Sequence, residues 1–197
     1  MARIFRVILD GDLAEPGAGG RFTGSLQARA SDLARFSALA GRDLGGALGA
    51  RAAGRVDILG GGFDLDLSAS ARRLQTGDPG LDRLLGGAVA FSGKARRDAT
   101  GLTLDDVALD AGGISAEGRA ALSGPGQALV GEGAATLRIA DLSGLSGLGG
   151  RPLGGAVQAS LEGRAAFDLS TFDVEAAIDG SDLRIGTPRS TGLPAAP

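Results

Sequence analysis

Ser92 and Lys94 are the residues whose spacing best suits nucleophilic chemistry, because side chains two positions apart share one face of a β-strand. A Ser–Lys pair acts as a catalytic dyad only where burial lowers the lysine pKa. Here the surrounding pattern puts both side chains on the polar face of a strand, so we interpret them as a solvated pair. The sequence contains no His, Cys, Tyr or Trp, which excludes a Ser/His/Asp triad, a Cys nucleophile and a His-ligated metal. We therefore predict no catalytic, cofactor-binding or metal-binding residues, and a protein that is not an enzyme.

Two pairs of carboxylates also share a strand face, Asp64 with Asp66 and Asp173 with Glu175. Such pairs can bind a hard cation or do acid/base work, but on amphipathic strands they more often form the solvated side, and we interpret them so. The Gly-rich segment 60–66 has some likeness to calcium-binding β-roll repeats, yet it does not recur every nine residues. The glycine patterns of phosphate-binding loops and dinucleotide-binding folds are absent.

Composition narrows the class of protein further. The net charge is −3, and the 20 basic and 23 acidic residues are interspersed, so no basic stripe is available for nucleic acid. With 36 Gly and seven Phe as the only aromatic residues, the core must be thin, which favours a ribbon over a globule. No stretch approaches the roughly 20 apolar residues of a membrane-spanning helix, and the N-terminus lacks the apolar run of a signal peptide. We expect either a cytosolic protein or a piece of a longer, anchored chain.

The sequence repeats itself internally. Residues 30–77 and 139–186 align without a gap at an offset of 109, and a partial third copy relates residues 85–89 to 153–157. We therefore divide the chain into preceding strands (1–31), a first copy (30–77), linking strands with the partial repeat (78–138), a second copy (139–186) and a Pro-rich tail (187–197). Residues that recur as the same type in the second copy include, in the first copy's numbering, Asp32, Leu33, Gly41, Arg42, Leu44, Gly45, Gly46, Gly54, Arg55, Phe63, Asp64, Leu74 and Gly77.

Apolar and polar residues alternate within each copy, which predicts strands with one dry and one wet face. From Leu153 the odd positions are apolar as far as Leu169, and after a predicted turn at 168–171 the apolar set moves to even positions from Phe172. The same alternation predicts strands over 22–30, 44–58, 63–71, 89–95, 114–122 and 129–139. A break in parity at Asp105 and Asp106 predicts a β-bulge.

Three segments lack the alternation: 32–40, 79–85 and 141–148. In the first, apolar residues follow Asp32 at helical spacing, so one or two helical turns are expected, with an ordered loop as the alternative. Glycines at 54, 133 and 163 fall within predicted strands. They either leave room on the apolar face for something that is not a side chain, or permit twist and close packing between two sheets.

Alternating strands, Gly54-Arg55 and Phe-Asp-Leu-Asp-Leu follow the run Asp-Leu…Leu-Ala-Gly-Arg-x-Leu-Gly-Gly-Ala. Through this pattern the chain resembles TamB-like translocation and assembly module subunits of the AsmA/TamB superfamily. The likeness covers most of residues 22–186. It implies an all-β fold, an elongated curved amphipathic sheet of the β-taco or solenoid-like type enclosing a hydrophobic groove. It also implies a periplasmic internal fragment of a longer chain anchored in the inner membrane, with a BamA-like barrel partner that binds outside this fragment.

The resemblance further implies roles in outer-membrane biogenesis, protein secretion and phospholipid transport between membranes. We hypothesise that the groove shields phospholipid acyl chains or nascent outer-membrane proteins, and that sheet edges template incoming strands. The rival hypothesis is a structural or adhesive β-solenoid with a closed core. The groove candidates are Phe63, Leu65, Val89, Phe91, Val157, Leu161, Phe167, Phe172 and Val174.

Overall fold

The computed structural model of the protein describes residues 5–15, 19–78, 82, 87–124, 130–146, 151–166 and 170–186. They form one antiparallel sheet of ten strands that lie in the same order as in the chain, with both edges free. The prediction of an all-β amphipathic sheet is therefore confirmed. The strands are β1 (Phe5–Ala14), β2 (Arg21–Ala30), β3 (Gly45–Asp57), β4 (Phe63–Gln75), β5 (Ala88–Asp98), β6 (Gly101–Ala111), β7 (Ile114–Ser123), β8 (Val130–Ile139), β9 (Leu153–Ala166) and β10 (Phe172–Ile185).

The predicted bulge lies in β6. Its register with β7 shifts between Leu104 and Val107, and Asp106 has a φ of 50°. The extra residue restores the apolar parity, so that Leu104 and Val107 lie on the same face of the sheet. Of the predicted turn at 168–171, residues 168 and 169 lie outside the described residues.

Two of the three non-alternating segments contain a short helical turn. A 3-10 turn spans Leu33–Phe36, the short α-helix Ser37–Ala40 follows it, and a second 3-10 turn spans Leu142–Leu145. Asp32 caps the first turn by accepting a hydrogen bond from the Ala34 amide. These helical turns are confirmed, whereas the segment 79–85 lies almost entirely outside the described residues.

The two sequence copies have the same local structure. Ser37 and Ser146 are 109 positions apart, and the Oγ of each accepts a hydrogen bond of 2.9 Å from the amide of the residue seven positions later. Gly46 and Gly155 are also equivalent, with φ values of 94° and 97°. A side chain on either glycine would clash with carbonyl oxygens of the neighbouring strand, so both positions require glycine.

The structural repeat is longer than the sequence alignment indicates. At the same offset of 109, β1 to β4 correspond to β7 to β10, and the registers agree: Phe5 pairs with Ala30 as Ile114 pairs with Ile139. Strands β5 and β6 lie between the two four-stranded units. Six strands therefore separate equivalent positions in the sheet.

No second sheet packs against this one among the described residues, where the main contacts between strands are those of chain neighbours. The first helical turn covers part of one margin, where the Phe36 ring packs edge-to-face on Phe5 with centroids 6.1 Å apart. The buried apolar side chains are all alanines, at positions 30, 71, 95 and 111. The accessible surface is 13868 Å² for a mass of 19.4 kDa, compared with about 8500 Å² for a compact protein of that size. The described strands form an open sheet, so they do not build the closed solenoid core of the rival hypothesis, and their glycines do not pack between two sheets.

Candidate functional site

One face of the sheet is apolar across all ten strands, and we call it the apolar face. The registers place the alternate positions of each strand on it, and its larger side chains come from every strand. At each strand these positions carry Gly, Ala, Val, Leu, Ile or Phe, with one exception described below. The larger members are Phe5, Val7, Leu9, Leu13, Phe22, Leu26, Leu48, Val56, Phe63, Leu65, Leu67, Val89, Phe91, Leu102, Leu104, Val107, Leu109, Ile114, Leu122, Leu137, Ile139, Leu153, Val157, Leu161, Phe172, Val174, Ile178, Leu183 and Ile185.

All of the described groove candidates lie on this face, in two separate groups. One group is on β4 and β5 and comprises Phe63, Leu65, Val89 and Phe91, which are half-buried. The other is on β9 and β10 and comprises Val157, Leu161, Phe172 and Val174. Phe167 lies outside the described residues.

Sequence reasoning missed the residues that join these two groups. Leu102 and Leu104 of β6, Leu122 of β7 and Leu137 of β8 lie on the apolar face between them. The alternation within each of these strands was visible, but it identifies the apolar side of one strand and says nothing about which strands are neighbours. Assigning the apolar side of each strand in turn, from one predicted hairpin to the next, would have placed these residues on the same face as the predicted ones.

The apolar face is exposed in this chain. Phe172 is 74% exposed, Ile178 74% and Leu161 51%. Ten strands at about 4.8 Å spacing and about ten residues long give a face of roughly 43 by 33 Å, or about 1400 Å². The largest apolar patch of a typical monomer covers about 300–600 Å². An area so much larger needs a binding role or a covering partner.

Glycines form the floor of a hollow in the apolar face. Gly131, Gly133 and Gly163 lie on β8 and β9, and the hollow above them has a volume of about 480 Å³. A Cβ on Gly163 would lie 2.5 Å from the Asp173 carbonyl oxygen, whereas a Cβ on Gly131 would meet nothing closer than 3.8 Å. The side walls of the hollow are Leu102, Leu104, Leu122, Leu161 and Val174.

Arg97 is the exception on the apolar face. It ends β5 between Phe63 of β4 and Leu102 of β6 in the cross-strand register. Among the described residues no carboxylate forms a salt bridge with it. An exposed guanidinium at the margin of an apolar surface is suited to hold an anionic group whose apolar part lies on that surface.

The opposite face is polar and carries the residues considered for catalysis. Lys94 Nζ is 2.7 Å from Asp106 Oδ2, and the hydrogen bond and charge of Asp106, helped by Asp66 and Asp105, raise the Lys94 pKa. A Ser–Lys dyad needs the opposite shift. In the register of β4 with β5, Asp66 lies opposite Lys94 and Asp64 opposite Arg96, so this carboxylate pair faces cations.

Neither a metal cluster nor a membrane-crossing helix is found in the part of the chain that the structure describes. No group of three carboxylate, His or Cys side chains there could hold a metal ion. None of its helices has the length and apolar character needed to cross a membrane. Comparison of the chain with protein-family models, with curated proteins and with solved structures finds no match in any of the three.

Proposed function

We propose that the apolar face is a non-catalytic carrier surface that shields phospholipid acyl chains, or the apolar strands of nascent outer-membrane proteins, from water. In this proposal the chain is an internal segment of a TamB-like periplasmic protein anchored in the inner membrane. It would serve outer-membrane biogenesis, protein secretion and phospholipid transport between membranes, with a BamA-like barrel partner contacted elsewhere in the longer protein.

The observation that carries the proposal is the apolar face, which is continuous over ten strands and has no second sheet packed on it among the described residues. Each methylene that leaves water on such a surface contributes about 0.8 kcal/mol, so an acyl chain covering two or three strands would gain several kcal/mol. No site for a specific head group is needed for that gain. Continuity matters because an apolar molecule can then move across the strands without returning to water.

Two local features favour phospholipid over a protein strand. The hollow floored by Gly131, Gly133 and Gly163 has room for flexible chain segments below the level of the neighbouring leucines. Arg97 offers a cation at the margin of the same face, where it can hold a phosphate while the acyl chains lie on the sheet.

Photo-crosslinking in cells that make the full protein tests this function. A photoreactive phenylalanine analogue replaces Phe63, Leu161 or Phe172 on the apolar face. The matched controls are the next residues in the chain, Asp64, Glu162 and Asp173. They lie beside the first set in the same strands but on the opposite face of the sheet. We expect lipid or outer-membrane-protein adducts in the first set only.

The pattern of adducts also decides between the candidate cargoes and the rival function. Adducts whose mass increase in mass spectra equals that of a phospholipid identify a lipid carrier. Adducts with outer-membrane proteins identify a chaperone for unfolded strands. Equal labelling at the three pairs, or none, contradicts the proposal and favours a structural or adhesive domain.

A further inference from the structure

No strand in the described part of the chain pairs with the outer edge of β10, here called its free edge, and this edge has an equivalent inside the same sheet. At the offset of 109 residues β10 corresponds to β4, and β4 pairs on that side with β5. Phe172, Asp173 and Glu175 take the places of Phe63, Asp64 and Asp66. The sheet therefore shows which kind of strand an edge of this type accepts, and in what register.

β10 lacks two of the features that protect edge strands from pairing, Lys and Pro, although five of its 14 residues are charged. All 14 residues are exposed. Its one irregularity is a register shift between Ser181 and Arg184. β4 has a bulge at the equivalent place, at Arg73, and still pairs with β5 from Phe63 to Arg72, so such a bulge does not prevent pairing.

The polar side of β10 is acidic, and no described strand supplies cations to it on the side where β4 has β5. On the other side, Arg164 of β9 lies opposite Asp173. Asp64 and Asp66 lie opposite Arg96 and Lys94 of β5. On β10 no salt bridge within the described residues reaches Asp173 or Glu175. Glu175 even lies opposite Glu162 of β9, and like charges in that position are unfavourable.

We infer that the free edge of β10 binds an antiparallel strand with basic residues on its polar side and small or apolar residues on the other, in the register of β5 on β4. In that register the basic side chains lie opposite Asp173 and Glu175. The incoming strand also extends the apolar face by one strand. This inference concerns the edge of the sheet and does not depend on what the apolar face carries.

A labelled peptide with the sequence of residues 88–98, that is β5 itself, is the probe for the whole chain. Fluorescence anisotropy should show saturable binding, since β4 already has its own β5 and the β10 edge is free. The variant Asp173→Lys/Glu175→Lys should bind at least about tenfold more weakly. A peptide carrying Glu in place of Lys94 and Arg96 should bind this variant and not the original chain.

The matched control is Asp110→Lys/Glu117→Lys, which makes the same charge change on the polar side of the interior strands β6 and β7. It should bind the original peptide as the unchanged chain does. Equal weakening in both variants would mean attraction by net charge alone and would overturn the inference.

Two peptides methylated at alternate backbone nitrogens separate strand pairing from other binding. Alternate amides of a strand point to opposite sides, so one series should lose binding and the other keep it. If both series bind, or if the unmodified peptide fails to bind, the inference is wrong. Lipid adducts on the apolar face would still support the proposed function in either case.

Discussion

Filling the glycine hollow should weaken the binding of an acyl chain without destabilising the fold, and Gly131→Val is the substitution that does this. A Cβ at Gly131 meets the Ala165 carbonyl oxygen at 3.8 Å and a Leu122 methyl at 3.9 Å, which are ordinary contacts. The valine methyls then occupy space in the hollow of about 480 Å³. Valine is also better suited to a strand than glycine, so we expect the free energy of unfolding to stay equal or rise by up to about 1 kcal/mol.

The expected loss of affinity follows from the volume that the valine takes. Its side chain displaces about two to three methylenes of a bound acyl chain, at about 0.8 kcal/mol each, or about 2 kcal/mol in total. That corresponds to a roughly 30-fold weaker Kd. The assay is titration of the purified chain with a single-chain phospholipid carrying an environment-sensitive fluorophore, alongside urea unfolding of the same sample.

Gly49→Val is the matched control. Gly49 lies on the polar side of β3, where a Cβ would meet the Ser70 hydroxyl at 3.6 Å and the Ser70 carbonyl oxygen at 4.0 Å. The same substitution is therefore tolerated there without touching the apolar face. An unchanged Kd for Gly131→Val at unchanged stability would refute the idea that the hollow holds the chain. An equal loss in Gly49→Val would point to a general effect of valine.

Three further predictions concern the scaffold. Gly54→Ala should destabilise the chain by more than about 2 kcal/mol in urea unfolding, because the Cβ at a φ of 146° would overlap the Asp64 carbonyl oxygen. Ser146→Ala should cost about 1 kcal/mol by the same assay, since the amide that its Oγ accepts from at 2.9 Å loses that partner. The Thr100 hydroxyl and then its amide lower the pKa of Asp98 by hydrogen bonding. A lowered carboxylate pKa stabilises the folded state above the pKa of the unfolded chain, and this stabilisation is lost as the pH falls through the pKa of the folded state. Thr100→Val should therefore raise the Asp98 pKa in an NMR titration and make the stability of the fold less sensitive to acid.

Local features of the fold could be predicted from the sequence because they depend on neighbouring residues. Alternation predicted the strands, the break in apolar parity at Asp105 and Asp106 predicted the bulge, and Asp32 predicted a capped helical turn. Each of these depends on a period or a cap within a few residues. The choice between an open and a closed sheet depends on contacts between distant strands, and a period of two is the same in both.

The extent of the repeat shows the same limit. β1 and β7 occupy equivalent places with equivalent registers, yet Phe5, Val7 and Leu9 align with Ile114, Ala116 and Gly118. An exposed face accepts any apolar residue or glycine, so side-chain identity drifts while backbone pairing stays. Some identities shared by the two copies lie where geometry allows one residue type, as at Gly46 and Gly155.

Equivalent strands of the two units are six strands apart, so each repeat lengthens the sheet by a fixed amount. At about 4.8 Å per strand, one repeat of this kind adds about 29 Å of reach across the strands. Because every strand pairs only with its neighbours in the chain, whole units can be gained or lost by gene duplication or deletion without redesigning a core. The span of such a sheet is then a heritable quantity that changes in discrete steps.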